Sequence, residues 1–255
     1  MVRATAAGLL AEEAVDAPSF WPLRGNYWLL DGPAPKAAET GKGDARLNAS
    51  KAEFFDTQVH EEWARSSYDG SEIQRLSWMI ESAGVRRGMR VLEPGCGTGR
   101  LTELLADAVG PWGEVVAVDM SFGMADACCK RVHARPNVSV VPAALEDFPL
   151  ESKHFDVALC HNVFPHFDDK PGAARKLAEA LDGSGSLVIY HFLNSAQSND
   201  PRRKVHPIVL NDLVPGRETI EEILRSAGLT IESFSDDHVG YFVKAVSRPG
   251  QVSPI

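Results

Sequence analysis

Arg90-Val91-Leu92-Glu93-Pro94-Gly95-Cys96-Gly97-Thr98-Gly99-Arg100 is a short apolar run that ends in an acid and passes directly into a glycine-rich turn. Leu101, Leu104 and Leu105 follow at helical spacing, so the turn joins a strand to a helix. Glycines there allow positive-φ backbone and let a ligand come close where a β-carbon would clash. A dinucleotide fingerprint needs a further glycine three positions after Gly97, and Arg100 stands there. A phosphate-cradling loop needs G-K-[ST], and no lysine follows Gly99. What remains is a strand-end carboxylate beside G-x-G-x-G. That carboxylate repels pyrophosphate and favours a cationic ligand.

A second acid follows one βα unit later. The run Gly113-Glu114-Val115-Val116-Ala117-Val118-Asp119 is a buried strand ending in a carboxylate, placed to accept ribose hydroxyls. Asp119 also suits a helix N-cap, but Ser121 fills that position for the helix that follows.

On these residues the sequence resembles the class I S-adenosylmethionine-dependent methyltransferases, from about Phe54 to Val246 and most strongly from Val91 to Asp119. The resemblance implies a Rossmann-like, doubly wound α/β fold, a seven-stranded sheet with its last strand inserted antiparallel. It implies S-adenosylmethionine as cofactor, with Glu93 taking the methionine ammonium directly or through water. Gly95, Cys96 and Gly97 would pack beneath the cofactor, Asp119 would hold the ribose, and Met120 would lie on the adenine. The family often has an acid for the adenine amino group at the position matched here by Ala144. That departure leaves the contact to the Leu145 backbone, Glu146 or Asp147.

Strand and helix alternate through the core. Strands are expected near 89–94, 114–119, 137–141, 155–160 and 186–192, with helices near 99–109, 121–134, 171–182 and 217–227. Leu229 to Ser235 and Gly240 to Val246 read as an antiparallel pair. Ahead of the core, helices are expected over 51–65 and 71–83, the second ending at Gly84. Tyr68 lies between them and either reaches the sulfonium region or packs as a turn residue. Residues 1–48 form an N-terminal arm, with a short helix at its start and then Phe20, Trp21, Tyr27, Trp28, Leu29 and Leu30; residues 49–255 form the methyltransferase domain. The arm serves as a surface or subunit contact, which allows a homo-oligomer, or as a lid.

In an open α/β sheet the ligand lies beyond the carboxyl ends of the strands. Four of the eight histidines follow the fourth and fifth strands: His161, His166, His191 and His206. Two readings compete for them. One histidine is a general base toward the acceptor, with His191, at a rigid strand end, ranked ahead of His166 and His161. Alternatively His166, His191 and His206, with Asp168 or Asp169, hold a divalent metal. The spacings match no short metal motif, so the expected assignment is no metal.

The chain has 255 residues, 44% hydrophobic and 24% charged, with a net charge of −9. This is globular composition for one sizeable domain. Its acidity argues against a nucleic-acid acceptor, and Arg202-Arg203-Lys204 is too short a basic cluster to reverse that. Cys96, Cys128, Cys129 and Cys160 show neither disulfide nor metal spacing, and free thiols fit a reducing cytoplasm. Glu12, Glu13 and Asp16 argue against a leader, and no apolar run is long enough for a membrane span. The expected protein is a soluble, cytoplasmic methyltransferase acting on a small-molecule acceptor. The rival readings are a non-catalytic S-adenosylmethionine-binding partner or sensor and a nicotinamide-dependent oxidoreductase.

Overall fold

The computed structural model describes residues 20–23, 27–30, 45–203 and 206–247, with side chains from residue 48 onward. The short helix expected at the start of the arm and the packing of the arm's aromatic side chains lie outside what is described. Two short strands, β1 (Phe20–Leu23) and β2 (Tyr27–Leu30), form an antiparallel hairpin. Helix α1 (Ala45–Gln58) is followed by one turn, α2 (Glu62–Arg65), so the single helix expected over 51–65 is broken. Helix α3 (Gly70–Ala83) begins in a capping box, with Asp69 accepting from Ser71 and Glu72, and stops at Gly84 with φ +82°.

The core then alternates β3 (Arg90–Pro94), α4 (Arg100–Val109), β4 (Glu114–Asp119), α5 (Phe122–Val132), β5 (Val138–Pro142), β6 (Phe155–His161), α6 (Lys170–Ala180) and β7 (Leu181–His191). A single turn, α7 (Ser195–Ser198), and α8 (Arg217–Ser226) precede the closing strands β8 (Leu229–Asp237) and β9 (Gly240–Ser247). The sheet order is β1-β2-β5-β4-β3-β6-β7-β9-β8. Strands β3 to β7 pair in parallel, and β9 runs antiparallel between β7 and β8. These seven strands match the expected sheet. The hairpin extends it at the β5 edge through the parallel pairing of Tyr27 with Val140.

The parallel strands are buried on both faces, which is why they read as continuous apolar runs. One buried cluster gathers Leu92, Ile189 and Tyr241 with α6 and α8; the other gathers Val91, Leu159 and Tyr190 with α3, α4 and α5. Strand order reverses at β3, which has β4 on one side and β6 on the other. The crevice beyond that switch point is where an α/β sheet takes its ligand.

Candidate cofactor and acceptor site

The glycine turn is tied across the strand ends. The Gly95 and Cys96 amides donate to the Val118 carbonyl at 2.6 and 3.1 Å, and the Gly97 amide donates to Asp119 Oδ2 at 2.8 Å. Asp119 Oδ1 accepts from the Ser121 amide at 2.9 Å, while Ser121 caps α5 as expected, its hydroxyl accepting from Met124. Each carboxylate oxygen keeps a lone pair for a further donor. Burial pushes the Asp119 carboxyl up to about 6 against the lowering pull of those two amides.

The three glycines have positive φ for different reasons. A β-carbon at Gly95 would stand 2.2 Å from Val163 Cγ2, and one at Gly99 would stand 2.7 Å from Cys128 Sγ, so packing requires both. At Gly97, with φ +54°, a β-carbon would meet nothing within 4 Å and would project into open space.

That space is a cavity of about 560 Å³, lined by Glu93, Gly95, Cys96, Gly97, Asp119 and Met120 from the first two strand ends. Leu145 lines it beyond β5, together with Ala143; Ala144 does not, its carbonyl instead accepting from Asp147 and Phe148. Glu93 is 2% exposed and its Oε2 has no hydrogen-bond partner. Burial first, with Cys128 and Asp119 nearby adding to it, holds its carboxyl well above the usual range despite a hydrogen bond from Thr102. An orphaned buried acid, an open glycine face and a ribose-type carboxylate on one wall fit an aminoacyl nucleoside with a cationic amine. Glu93 would hold the ammonium and Asp119 the ribose.

The opposite wall comes from the leading helices and the segment after β6. Phe54, Phe55 and Tyr68 face the cavity. Arg100 fastens this lid to α4: its guanidinium donates to the Trp63 carbonyl at 2.6 Å, pairs with Glu72 at 3.5 Å and lies 3.6 Å from the Tyr68 ring centroid. Thr98 donates to the Ala64 carbonyl from the glycine turn itself. Tyr68 thus reaches the cavity as a lid residue, and burial raises its phenol above the ordinary value.

The histidines separate. His161 lines the cavity, stacks on Tyr190 with centroids 5.4 Å apart and is bonded through Nδ1 to the Tyr190 carbonyl at 3.3 Å. Burial lowers it to about 4, so the imidazole is neutral at pH 7. His166 also lines the cavity, its Nδ1 at 2.7 Å from Asp212 Oδ2. His191, ranked first from sequence, is 5% exposed, packs against Tyr241 and is not among the cavity-lining residues. Strand alternation explains it: His191 points to the opposite sheet face from its neighbours Tyr190 and Phe192. His206 stacks on Phe54 at 4.7 Å and accepts the Ile208 amide. The three metal candidates therefore do not converge, and no group of three or more metal-type ligands occurs among the described residues.

Sequence reasoning missed two partners of this wall. Asp212 lies 46 positions from His166 and no local pattern links them. Lys51 did leave a signal, because spacings of three, four and seven place it on the face of Phe54, Phe55 and Gln58. A lysine on an apolar stripe needs buried anions, and Lys51, 1% exposed, donates to Asp168 at 2.7 Å, Asp212 at 2.9 Å and the His166 carbonyl at 2.9 Å.

Comparison with known proteins agrees with this geometry. Residues 92–189 match the family described as methyltransferase domain. The ubiquinone/menaquinone biosynthesis C-methyltransferase UbiE of Shewanella sediminis is 32% identical over 139 residues, 53% of this chain and 55% of that protein. The Shewanella oneidensis protein of the same name is 32% identical over 141 residues, 54% and 55% of the two chains. The chain thus spans about half the length of these curated relatives. A SAM-dependent methyltransferase from Aquifex aeolicus shares the fold with a TM-score of 0.59 at 21% identity, over 77% of this chain and 97% of that one. The [4+2]-cyclase SpnF does so at 0.65 and 14%, over 80% and 97%. Fold and site together define a Rossmann-like methyltransferase domain. Over residues 92–189 the chain matches a methyltransferase domain, and its fold is that of solved S-adenosylmethionine-dependent methyltransferases.

Proposed function

We propose that this chain transfers a methyl group from S-adenosylmethionine to a small-molecule acceptor, with His161 and His166 positioning or deprotonating it. The observation that carries the reading is one cavity with two unlike walls: Glu93, Gly97 and Asp119 on one, and Phe54, Phe55, His161 and His166 on the other. When bound, the cofactor supplies a methyl on a sulfonium, already activated for in-line displacement. The chain's own task is then to position the acceptor and exclude water. Tyr68 and the Arg100-tied lid serve the second need; the aromatic wall serves the first. The Shewanella relatives are named as C-methyltransferases of quinone biosynthesis, which supports a small acceptor, as does the net charge of −9.

The four cysteines are free and buried, consistent with a cytoplasmic setting, and among the described residues no helix is long and apolar enough to cross a membrane. The arm over 1–48 is assigned to homo-oligomer contact on its sequence alone, from Phe20, Trp21, Tyr27 and Trp28. Calorimetric titration with S-adenosylmethionine, S-adenosylhomocysteine and NAD tests the cofactor assignment. Binding of the first two without NAD is the expected result, followed by label transfer from methyl-labelled cofactor to small-molecule acceptors. Silence from the first two removes the reading, and binding without any consumption supports a sensor subunit.

A further inference from the structure

We propose that His166 Nε2 is the general base for the acceptor, set by a buried Lys51–Asp212–His166 relay, and that the acceptor carries an acidic O–H on a flat apolar body, a phenol or enol. This assignment rests on the methyl-transfer reading above. Asp212 is an anion: burial pushes it up, but hydrogen bonds from His166 and Lys51 outweigh that and hold its carboxyl below the ordinary value. An ionised carboxylate only accepts, so His166 Nδ1 carries the proton of the 2.7 Å bond. The second ring nitrogen, Nε2, is left as an acceptor on a ring that lines the cavity.

Among the described residues the charges joined to the ring are ordered. Asp212 contacts it from the loop after the 207–209 turn. Lys51 reaches from α1 to the other Asp212 oxygen, and Asp168 lies beyond Lys51. The two acids and one lysine leave one net negative charge, which stabilises the imidazolium formed on proton uptake. Lys51 also joins helix α1 to this loop, so the position of that helix and the alignment of the base are coupled.

The acceptor class follows from the wall. Phe55 meets His166 edge-on with centroids 5.2 Å apart, and Phe54, Phe167 and Val209 continue the surface. Among the described residues the anions beside this wall, Asp168 and Asp212, are already paired with Lys51 and His166, which leaves an aliphatic ammonium no such partner. A phenol or enol gains from a base, because its O–H must be lost as the new bond forms. The proton passes to His166 Nε2 and on to solvent through this partly exposed side chain. The freed electron pair of the acceptor makes the bond to the methyl carbon, and the pair of the broken methyl–sulfur bond stays on sulfur.

Two readouts other than turnover test this on the full chain. Histidine nitrogen NMR of the unliganded protein is expected to show His166, identified by its loss in His166→Asn, as the Nδ1–H tautomer. Asp212→Ala removes the acceptor and should release that preference toward the Nε2–H form; Lys51 keeps Asp168 and the His166 carbonyl there, so the fold persists. An Nε2–H tautomer in the wild type, or an Nδ1–H tautomer unmoved by Asp212→Ala, overturns the relay. The second probe is 4-nitrophenol, whose phenolate absorbs at longer wavelength, added to protein saturated with S-adenosylhomocysteine. Wild type should bind it with a shift toward phenolate that His166→Asn loses. No binding overturns the phenol assignment, and an equal shift in the variant overturns the base assignment. Failure to bind S-adenosylhomocysteine at all counts against the cofactor reading and leaves the NMR result to decide the relay.

Discussion

At Glu93 one carboxylate oxygen, Oε2, has no hydrogen-bond partner in a wall of buried side chains, and such an atom is tolerated only if something satisfies it. Burial holds the carboxyl well above its usual range, which favours its protonated form in the free protein. Pairing with the cofactor ammonium would expel that proton. Calorimetry of S-adenosylhomocysteine in buffers of different ionisation enthalpy should therefore show net proton release near neutral pH, and a buffer-independent enthalpy would count against the assignment. Glu93→Gln should weaken binding by about ten- to a hundredfold, the loss of a charged hydrogen bond worth roughly 1.5–3 kcal/mol. The glycines of the turn separate into two kinds at the same scale. Gly95→Ala drives a β-carbon into Val163 and should abolish folding. Gly97→Ala meets only open space; it should cost about 1–2 kcal/mol for its left-handed backbone and keep the fold. Its methyl then occupies the cofactor's place, so affinity should fall further than stability does. Thermal melting and calorimetry on the two variants check this contrast.

One part of the lid is too short to hold itself. Helix α2 is one turn, and a single turn is not stable on propensity alone, so its position depends on Arg100 donating to the Trp63 carbonyl and Thr98 to the Ala64 carbonyl. Arg100→Met should leave the sheet intact while amide exchange over 62–69 speeds up and cofactor affinity drops several-fold; unchanged exchange would mean that the lid is held from elsewhere. The same elements show what a one-dimensional reading can and cannot reach. Strand ends at Glu93 and Asp119, the Gly84 stop and the Ser121 cap were legible because each is a local signal of period, positive φ or capping chemistry. Strand β7 starts at Leu181, earlier than the expected 186, because the Asp182-Gly-Ser-Gly segment is absorbed as an irregularity in the β6 pairing. The break after Gln58 carries no glycine or proline and was read through. His191 was favoured for its rigid position, yet period-2 alternation from Tyr190 already assigned it to the far face. The Asp212–His166 contact was beyond reach, since it joins two loops with no shared periodicity.

Across the whole molecule the unliganded site sets stability against binding, and the pH dependence should reveal it. Asp119 is an acid with its folded value raised from 3.8 to about 6. Its contribution to stability is therefore full below about 4 and is lost as pH rises through about 6. His161 is lowered from 6.5 to about 4, so its contribution is full above about 6.5 and is lost as pH falls through about 4. Each shift is worth roughly 3 kcal/mol at 1.36 kcal/mol per unit, and the two run in opposite directions over the same window. The unliganded protein should consequently show a shallow stability profile between pH 4.5 and 6.5, flatter than either group would give alone. On the ribose assignment proposed for Asp119, bound cofactor breaks that balance, because hydroxyls donating to the carboxylate would favour its ionised form. Affinity should rise with pH through about 6, and since a ligand stabilises by RT ln(1 + [L]/Kd), so should the melting-temperature increment from a fixed concentration of S-adenosylhomocysteine. Paired melts with and without ligand from pH 5 to 8 measure that increment directly. An increment that stays constant or shrinks across pH 6 would remove Asp119 from the ribose site. An increment that grows, with Asp119→Ala abolishing the growth, ties the ligand to this carboxylate.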